Sequence, residues 1–186
     1  RPAGVPDQRV MILGVLGAGL MGAGIALVAA QAGIEVVLID RDQESADRGK
    51  NYSEKYVEGG IKRGKTTAEK GEALLSRITA TPDLETLKGC DLIIEAVFED
   101  PKVKAEITQR VEAIIPDDCI FASNTSTLPI SELAKASKNQ EQFIGIHFFS
   151  PVEKMLLVEI IKGANTGDRA VAKALDYVRQ IKKTPI

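Results

Sequence analysis

Among 186 residues there is one histidine, there are two cysteines, and the formal net charge is only −2. Each scarcity excludes something. So small a net charge gives no electrostatic grip on nucleic acid or on anionic lipid. No apolar run approaches the roughly 20 residues that cross a bilayer, so no membrane span is expected. Residues 1–8 hold Pro2 and Pro6 and no apolar stretch, which reads as a linker and not as a signal peptide. The chain opens on Arg1 without an initiator methionine, so we expect it to be cut from something longer. Cys90 and Cys119 each border an apolar run, where buried free thiols in a reducing compartment are expected, not a disulfide. What is present is ordinary: 44% hydrophobic and 27% charged residues exclude disorder. The length suits one α/β domain with a single core.

Short apolar runs alternate with longer amphipathic ones, the signal of a parallel sheet with helical crossovers. Residues 10–16, 35–40, 91–97 and 119–123 read as strands. A helix is expected over 20–32, stopped by Gly33. Another follows Asp100 as cap and Pro101 in the first turn, with Val103, Ile107, Val111 and Ile114 on one face. Residues 143–149 and 156–161 are two further strands with no room between them for a crossover helix, so that pair is expected to be antiparallel. A last helix over 168–182 carries Val171, Leu175, Val178 and Ile181 at helical spacing. Residues 41–76 are long, charged and poor in large apolar side chains. They read as two helices broken near Gly59-Gly60 or Gly64, projecting partly from the body. Two readings of that arm stand: a solvated helix pair, or a ligand-facing arm using Lys62, Arg63 and Lys65.

The run 10–16 leads directly into Gly17-Ala18-Gly19-Leu20-Met21-Gly22. A G-x-G-x-x-G between a strand and a helix is a dinucleotide-binding turn. Gly17 permits the tight turn, Gly19 lets the backbone approach a pyrophosphate, and Gly22 allows close helix–strand packing. The helix start then offers N–H groups and a positive dipole end to phosphate. Asp40 ends the second strand 18 residues after Gly22, close to the ~20-residue spacing of a ribose-binding acid. Its charge repels a 2′-phosphate, which favours NAD over NADP, although Arg41 beside it would favour the phosphate. The expected fold is therefore α/β, a doubly wound, mostly parallel Rossmann-type sheet over residues 9–186, with a C-terminal antiparallel strand and the helix pair after the second strand.

The lone histidine, His147, lies toward the carboxyl end of its strand, the side on which open α/β sheets bind ligands. Histidine is the side chain whose unperturbed pKa, about 6.5, best suits proton transfer at neutral pH. Glu159 lies 12 residues on in the next strand, and an antiparallel register brings the two together as a base and its orienting carboxylate. Spacing alone also leaves His147 as a structural residue. Ser126, in SNTST after the 119–123 strand, reads as a helix cap or turn, or as a donor to a substrate oxygen.

Together VLGAGLMGAGIA, VLIDRD, IIEAVFEDPKVK, ASNTSTLPI and GIHFFSPVEKMLLVEII resemble the 3-hydroxyacyl-CoA dehydrogenase family, in order from residue 10 to 186. Within it they resemble the dehydrogenase part of the multifunctional fatty acid β-oxidation proteins of the α-subunit type, which join it to an enoyl-CoA hydratase module. The resemblance implies that Gly17, Gly19, Leu20, Met21, Gly22 and Asp40 contact NAD. It implies that Val97, Phe98 and Glu99 run beneath the nicotinamide half and that Lys104 is a further cofactor contact. Ser126 is implied to touch cofactor and substrate, His147 to be the general base and Glu159 its partner. Ser150 stands where part of the family has asparagine, at a cofactor contact, and Arg63 falls near a basic position that meets coenzyme A. The implied reaction is oxidation of a (3S)-3-hydroxyacyl-CoA to the 3-ketoacyl-CoA, with no metal. An all-helical domain that completes the site is expected beyond KKTPI. The parent is expected to be dimeric or complexed with a thiolase subunit, and cytoplasmic in bacteria or organellar in eukaryotes. Two rival readings are an NAD-dependent dehydrogenase of small 3-hydroxy acids, whose base is a lysine, and a non-catalytic NADH-binding module.

Overall fold

The computed structural model describes all 186 residues, Arg1–Ile186. Eight strands form one sheet: β1 (Ile12–Leu16), β2 (Glu35–Ile39), β3 (Ile78–Thr81), β4 (Leu92–Glu95), β5 (Ile120–Ser123), β6 (Phe143–Phe148), β7 (Leu157–Ile161) and β8 (Thr184–Pro185). The order across the sheet is β3-β2-β1-β4-β5-β6-β7-β8. The first six run parallel. β7 turns back antiparallel to β6, and β8 runs parallel to β7. The expected doubly wound sheet with an antiparallel C-terminal strand is present. Chain direction across the sheet reverses between β1 and β4, and ligands of such sheets bind at that reversal, outside the carboxyl ends of the strands.

The helices are α1 (Leu20–Gln31), α2 (Gln43–Lys62), α3 (Ala68–Ser76), α4 (Pro101–Glu112), α5 (Ile130–Ala134) and α6 (Asp168–Gln180). One face of the sheet is covered by α1 and α6, where Leu13, Val15, Ile25, Ala29, Ile94 and Tyr177 are buried together. The other face buries Leu16, Ile93, Val111, Phe121, Leu133 and Phe143. Both faces being covered explains why the central strands read as continuous apolar runs and do not alternate.

Local signals account for most boundaries. Gly33, at φ 85°, ends α1 as expected. Asp100 caps α4 by accepting from the Lys102 and Val103 amides, ahead of Pro101 in its first turn. The expected break in the arm falls at Gly64, which has φ 69°. Gly59 and Gly60 lie inside α2, where Gly60 is buried near Thr66. α2 lies along the body, with Ala46, Gly49, Ser53 and Val57 buried, whereas α3 buries only Gly71.

Several elements were not expected. β3, β8 and α5 span only four, two and five residues, over which summed propensity carries little signal. The inward face of α4 is only partly its apolar one: Val111 is buried as expected, but Lys104 and Thr108 point in beside it and Val103 is exposed. In α6 the buried stripe is Ala170, Ala174, Tyr177 and Val178, continuing to Ile181, with Val171 and Leu175 only partly covered. The opening segment is held down, because Arg1 pairs with Asp176 at 2.8 Å and the Gln8 amide donates to the same carboxylate.

Candidate active site

Two chambers open side by side at the carboxyl ends of the strands. The first, about 520 Å³, is lined by Gly17, Asp40, Arg41, Val97, Phe98, Val103 and Ile107, among others. The second, about 300 Å³, is lined by Met21, Ala96, Val97, Glu99, Asn124, Ser126, His147 and Ser150, with Phe148 and Phe149. Val97 belongs to both, so the loop after β4 is the partition between them. Val103 and Ile107, in the first two turns of α4, thus serve as chamber wall, which is why Val103 does not face the core.

The glycine turn fits a pyrophosphate. Gly17 has φ 99°, and a Cβ there would stand 2.6 Å from the Ala96 carbonyl oxygen. A Cβ on Gly22 would stand 1.7 Å from the Gly17 carbonyl oxygen, so only glycine lets α1 leave β1 this closely. A Cβ on Gly19, by contrast, would meet nothing within 4 Å. Close packing therefore requires Gly17 and Gly22, and open space beside the backbone remains at Gly19. α1 has no side-chain cap and no acid in its first turn, so its positive end is uncompensated by the protein. Leu20, 59% exposed, and Met21 stand at that end.

Asp40 follows β2 and belongs to the first chamber. Its Oδ2 accepts from the Ala18 amide at 2.9 Å and its Oδ1 from the Arg41 amide at 2.7 Å. The carboxylate is thereby tied to the glycine turn. The Arg41 guanidinium turns to Asp42, at 3.5 Å.

His147, in the wall of the second chamber, and Glu159 are cross-strand partners in the β6–β7 register. Nδ1 of His147 lies 2.7 Å from Oε1 of Glu159. The His147 side chain is 16% exposed and that of Glu159 42%. A carboxylate on Nδ1 fixes the tautomer and leaves Nε2 free toward the chamber. Phe149 meets the imidazole edge-on, with ring centroids 4.8 Å apart. Ser126, in the turn after β5, donates through Oγ to Oε2 of Glu99 at 3.3 Å. Thr125 also donates to Glu99 through its hydroxyl. Burial alone would raise the Glu99 carboxyl, but the Thr125 hydroxyl, the Lys104 ammonium and Ser126 together hold it below the usual range. Phe98, 79% exposed, stands at the rim of the first chamber.

Two expected contacts lie elsewhere. Lys104 is 2% exposed and sits beneath the loop, its Nζ 2.5 Å from Oε2 of Glu95 and 3.2 Å from the Val97 carbonyl oxygen. It supports the chamber floor and does not line the chambers. Arg63 lines a separate cavity of about 440 Å³ between α2, α3 and the end of α1, together with Lys65, Lys70 and Arg77. Lys62 is not among its walls; it pairs with Glu58 at 3.5 Å.

Sequence reasoning passed over Asn124, Thr125 and Glu95. Asn124 accepts from the Phe148 amide at 2.8 Å, tying the end of β5 to the end of β6 beside His147. The stretch SNTST carried that signal, since clustered short polar residues at a strand end hydrogen-bond backbone. Glu95 carried one too, as an acid inside an otherwise apolar strand.

A glycine turn and a carboxylate after the second strand, with a histidine–glutamate pair beside them, define a dinucleotide-binding domain. Residues 12–186 match the family described as 3-hydroxyacyl-CoA dehydrogenase, NAD binding domain. The chain belongs to that family, and its dinucleotide is NAD. It is 45% identical over 179 residues to the fatty acid oxidation complex subunit alpha of Idiomarina loihiensis, covering 96% of this chain and 25% of the relative. Its structure is similar to that of (S)-3-hydroxybutyryl-CoA dehydrogenase from Ralstonia eutropha, with a TM-score of 0.93 and 35% identity, over 96% of this chain and 63% of that one. It is also similar to the dehydrogenase part of multifunctional enzyme 1 from C. elegans, with a TM-score of 0.85 and 34% identity, over 95% of this chain and 40% of that one. The chain thus spans a quarter of the curated relative and under two thirds of either solved chain.

Proposed function

We propose that this chain is the cofactor-binding half of an enzyme that oxidises (3S)-3-hydroxyacyl-CoA to 3-ketoacyl-CoA in fatty acid β-oxidation. The observation that carries the reading is the His147–Glu159 pair, held by strand register, with His147 in the wall of the second chamber. NAD, when bound, supplies the hydride acceptor. Gly17, Gly19 and Gly22 seat its pyrophosphate against the start of α1, and Asp40 receives the adenosine ribose hydroxyls. Leu20, Met21, Val97, Phe98, Glu99 and Ser150 wall the cofactor, with Lys104 acting from beneath. His147 accepts the substrate hydroxyl proton on Nε2, and Glu159 stabilises the resulting imidazolium through Nδ1. Ser126 positions the reacting oxygen. Arg63, with its cationic neighbours, receives phosphate of the coenzyme A moiety. An all-helical partner domain, dimerisation or a thiolase subunit, and a cytoplasmic setting (organellar in a eukaryote) belong to the same proposal. No helix is long and apolar enough to cross a membrane.

The test is loss of NADH absorbance on adding acetoacetyl-CoA to the full-length protein that carries this chain. Rapid oxidation is expected, with His147→Gln lowering kcat by roughly 10²–10⁴-fold at unchanged NADH affinity. Near-normal turnover in that variant removes His147 from the chemistry. No oxidation by the parent at intact NADH binding removes the substrate assignment.

A further inference from the structure

We propose that Glu95 is a positioning residue of this site, setting the height of the loop that separates the two chambers; the kinetic part of this inference rests on the reaction proposed above. Glu95 ends β4 and is 1% exposed. Its Oε1 accepts from the Ser123 hydroxyl at 2.6 Å. Its Oε2 accepts from the Val97 amide at 2.8 Å and from Lys104 Nζ at 2.5 Å. The same ammonium donates to the Val97 carbonyl. Both polar groups of the Val97 backbone are therefore held by one buried ion pair, with Ser123 fixing the free end of the carboxylate.

What hangs on that anchor is the working surface. Ala96 and Val97 pack against the glycine turn, as the 2.6 Å approach of the Ala96 carbonyl oxygen to a Cβ on Gly17 shows. Lys104 Nζ also lies 3.7 Å from Oε1 of Glu99, so the same cation steadies the acid that Thr125 and Ser126 grip. The backbone amide of Asn124 donates to the Glu95 carbonyl at 2.8 Å, joining the anchor to the residue that holds the Phe148 amide. Glu95 thus lies at one junction of β4, β5 and the start of α4, beneath a loop whose Val97 lines both chambers. A buried ion pair is a poor way to gain stability, because desolvating both charges cancels much of their attraction. Apolar residues would suit the same space at least as well. Its distinctive effect is directional: three donors converge on one carboxylate and leave the loop a single seat.

The test uses the full-length protein with Ser123→Ala, Glu95→Gln and the double variant Glu95→Gln/Lys104→Met. Three readouts are taken: NADH affinity by fluorescence without acyl substrate, single-turnover hydride transfer with acetoacetyl-CoA, and the urea midpoint. Glu95→Gln leaves the buried Lys104 with only the more distant carboxylate of Glu99, at 3.7 Å, so it is expected to lose stability as well as function. The double variant removes both charges and is expected to regain stability. It should nevertheless bind NADH more weakly and transfer hydride up to roughly a hundredfold more slowly, the scale of a 1 Å misplacement. Ser123→Ala should show the same two losses at about tenfold, one hydrogen bond to a charged group having been removed. A double variant that regains stability together with parental NADH affinity and hydride transfer overturns the proposal and makes the pair structural. So does a folded Ser123→Ala unchanged in both functional readouts. If NADH affinity falls as expected while even the parent does not oxidise NADH with acetoacetyl-CoA, the positioning role stands and the substrate assignment fails.

Discussion

Gly19 and Gly22 lie three residues apart in one turn, and alanine at each should fail in opposite ways. At Gly22 the new Cβ would stand 1.7 Å from the Gly17 carbonyl oxygen and 3.4 Å from Val15. Van der Waals contact requires roughly 3.2 Å or more, so α1 and the turn must separate by about 1.5 Å. Overpacking of a backbone that cannot yield costs about 1–3 kcal/mol, against a gain of up to about 1 kcal/mol from replacing a helical glycine. Gly22→Ala should therefore lose about 1–2 kcal/mol, a Tm lower by roughly 2–8 °C for a domain of this size. At Gly19 nothing stands within 4 Å of the new Cβ, and φ −72° suits any residue. Reduced unfolded-state entropy there offsets the weaker N-cap, each by about 0.5–1 kcal/mol, so the Tm should hold. NADH affinity should still fall roughly 10–100-fold, because the methyl group enters the pyrophosphate's space at an overpacking cost of about 1–3 kcal/mol. Thermal unfolding by circular dichroism and NADH fluorescence titration of the two variants read both quantities. Gly19→Ala binding NADH as tightly as the parent would refute the cradle, and Gly22→Ala melting at the parental temperature would refute the close contact.

Removing the Asp40 charge, as Asp40→Ala, should weaken NADH and narrow the preference over NADPH, read as the ratio of the two dissociation constants; an unchanged ratio clears Asp40 of cofactor selection. Burial pushes the Cys90 thiol up to about 12 and the Cys119 thiol higher still. Neither should react with an aromatic disulfide at pH 8 in the native protein, and both should in concentrated guanidinium; prompt native labelling counts against the packing of β4 and β5. Glu99 has a folded pKa below its unfolded one, so its stabilising effect is present above the unfolded value, about 4.3, and is lost as pH falls through the folded value. The urea midpoint of the parent should therefore drop more steeply than that of Glu99→Gln on acidification below about pH 5; parallel curves refute the Thr125–Glu99–Ser126 contact.

The parts of this protein legible in its sequence are those written in local chemistry. Gly17 and Gly22 announce a turn because no other residue takes that backbone so close to a helix, and Asp100-Pro101 announces a helix start for a comparable reason. His147 and Glu159 were legible as a pair only because the short connection between their strands allows nothing but an antiparallel return, which register then converts into a 2.7 Å contact. What periodicity could not show is the direction in which an apolar face looks. Val103 and Ile107 fall at core spacing on α4, yet both line a chamber, while Lys104 and Thr108 are buried beside Val111. That inversion has its cause in another element: Glu95 is buried at the end of β4, and an unpaired carboxylate there would be far costlier than an exposed valine. α4 therefore docks by its lysine. The pairing spans nine residues and a loop, a distance at which helical and strand periods carry no information. The same buried pair fixes the floor on which Glu99 and Ser126 work, so the least legible feature of the sequence lies directly beneath its most legible site.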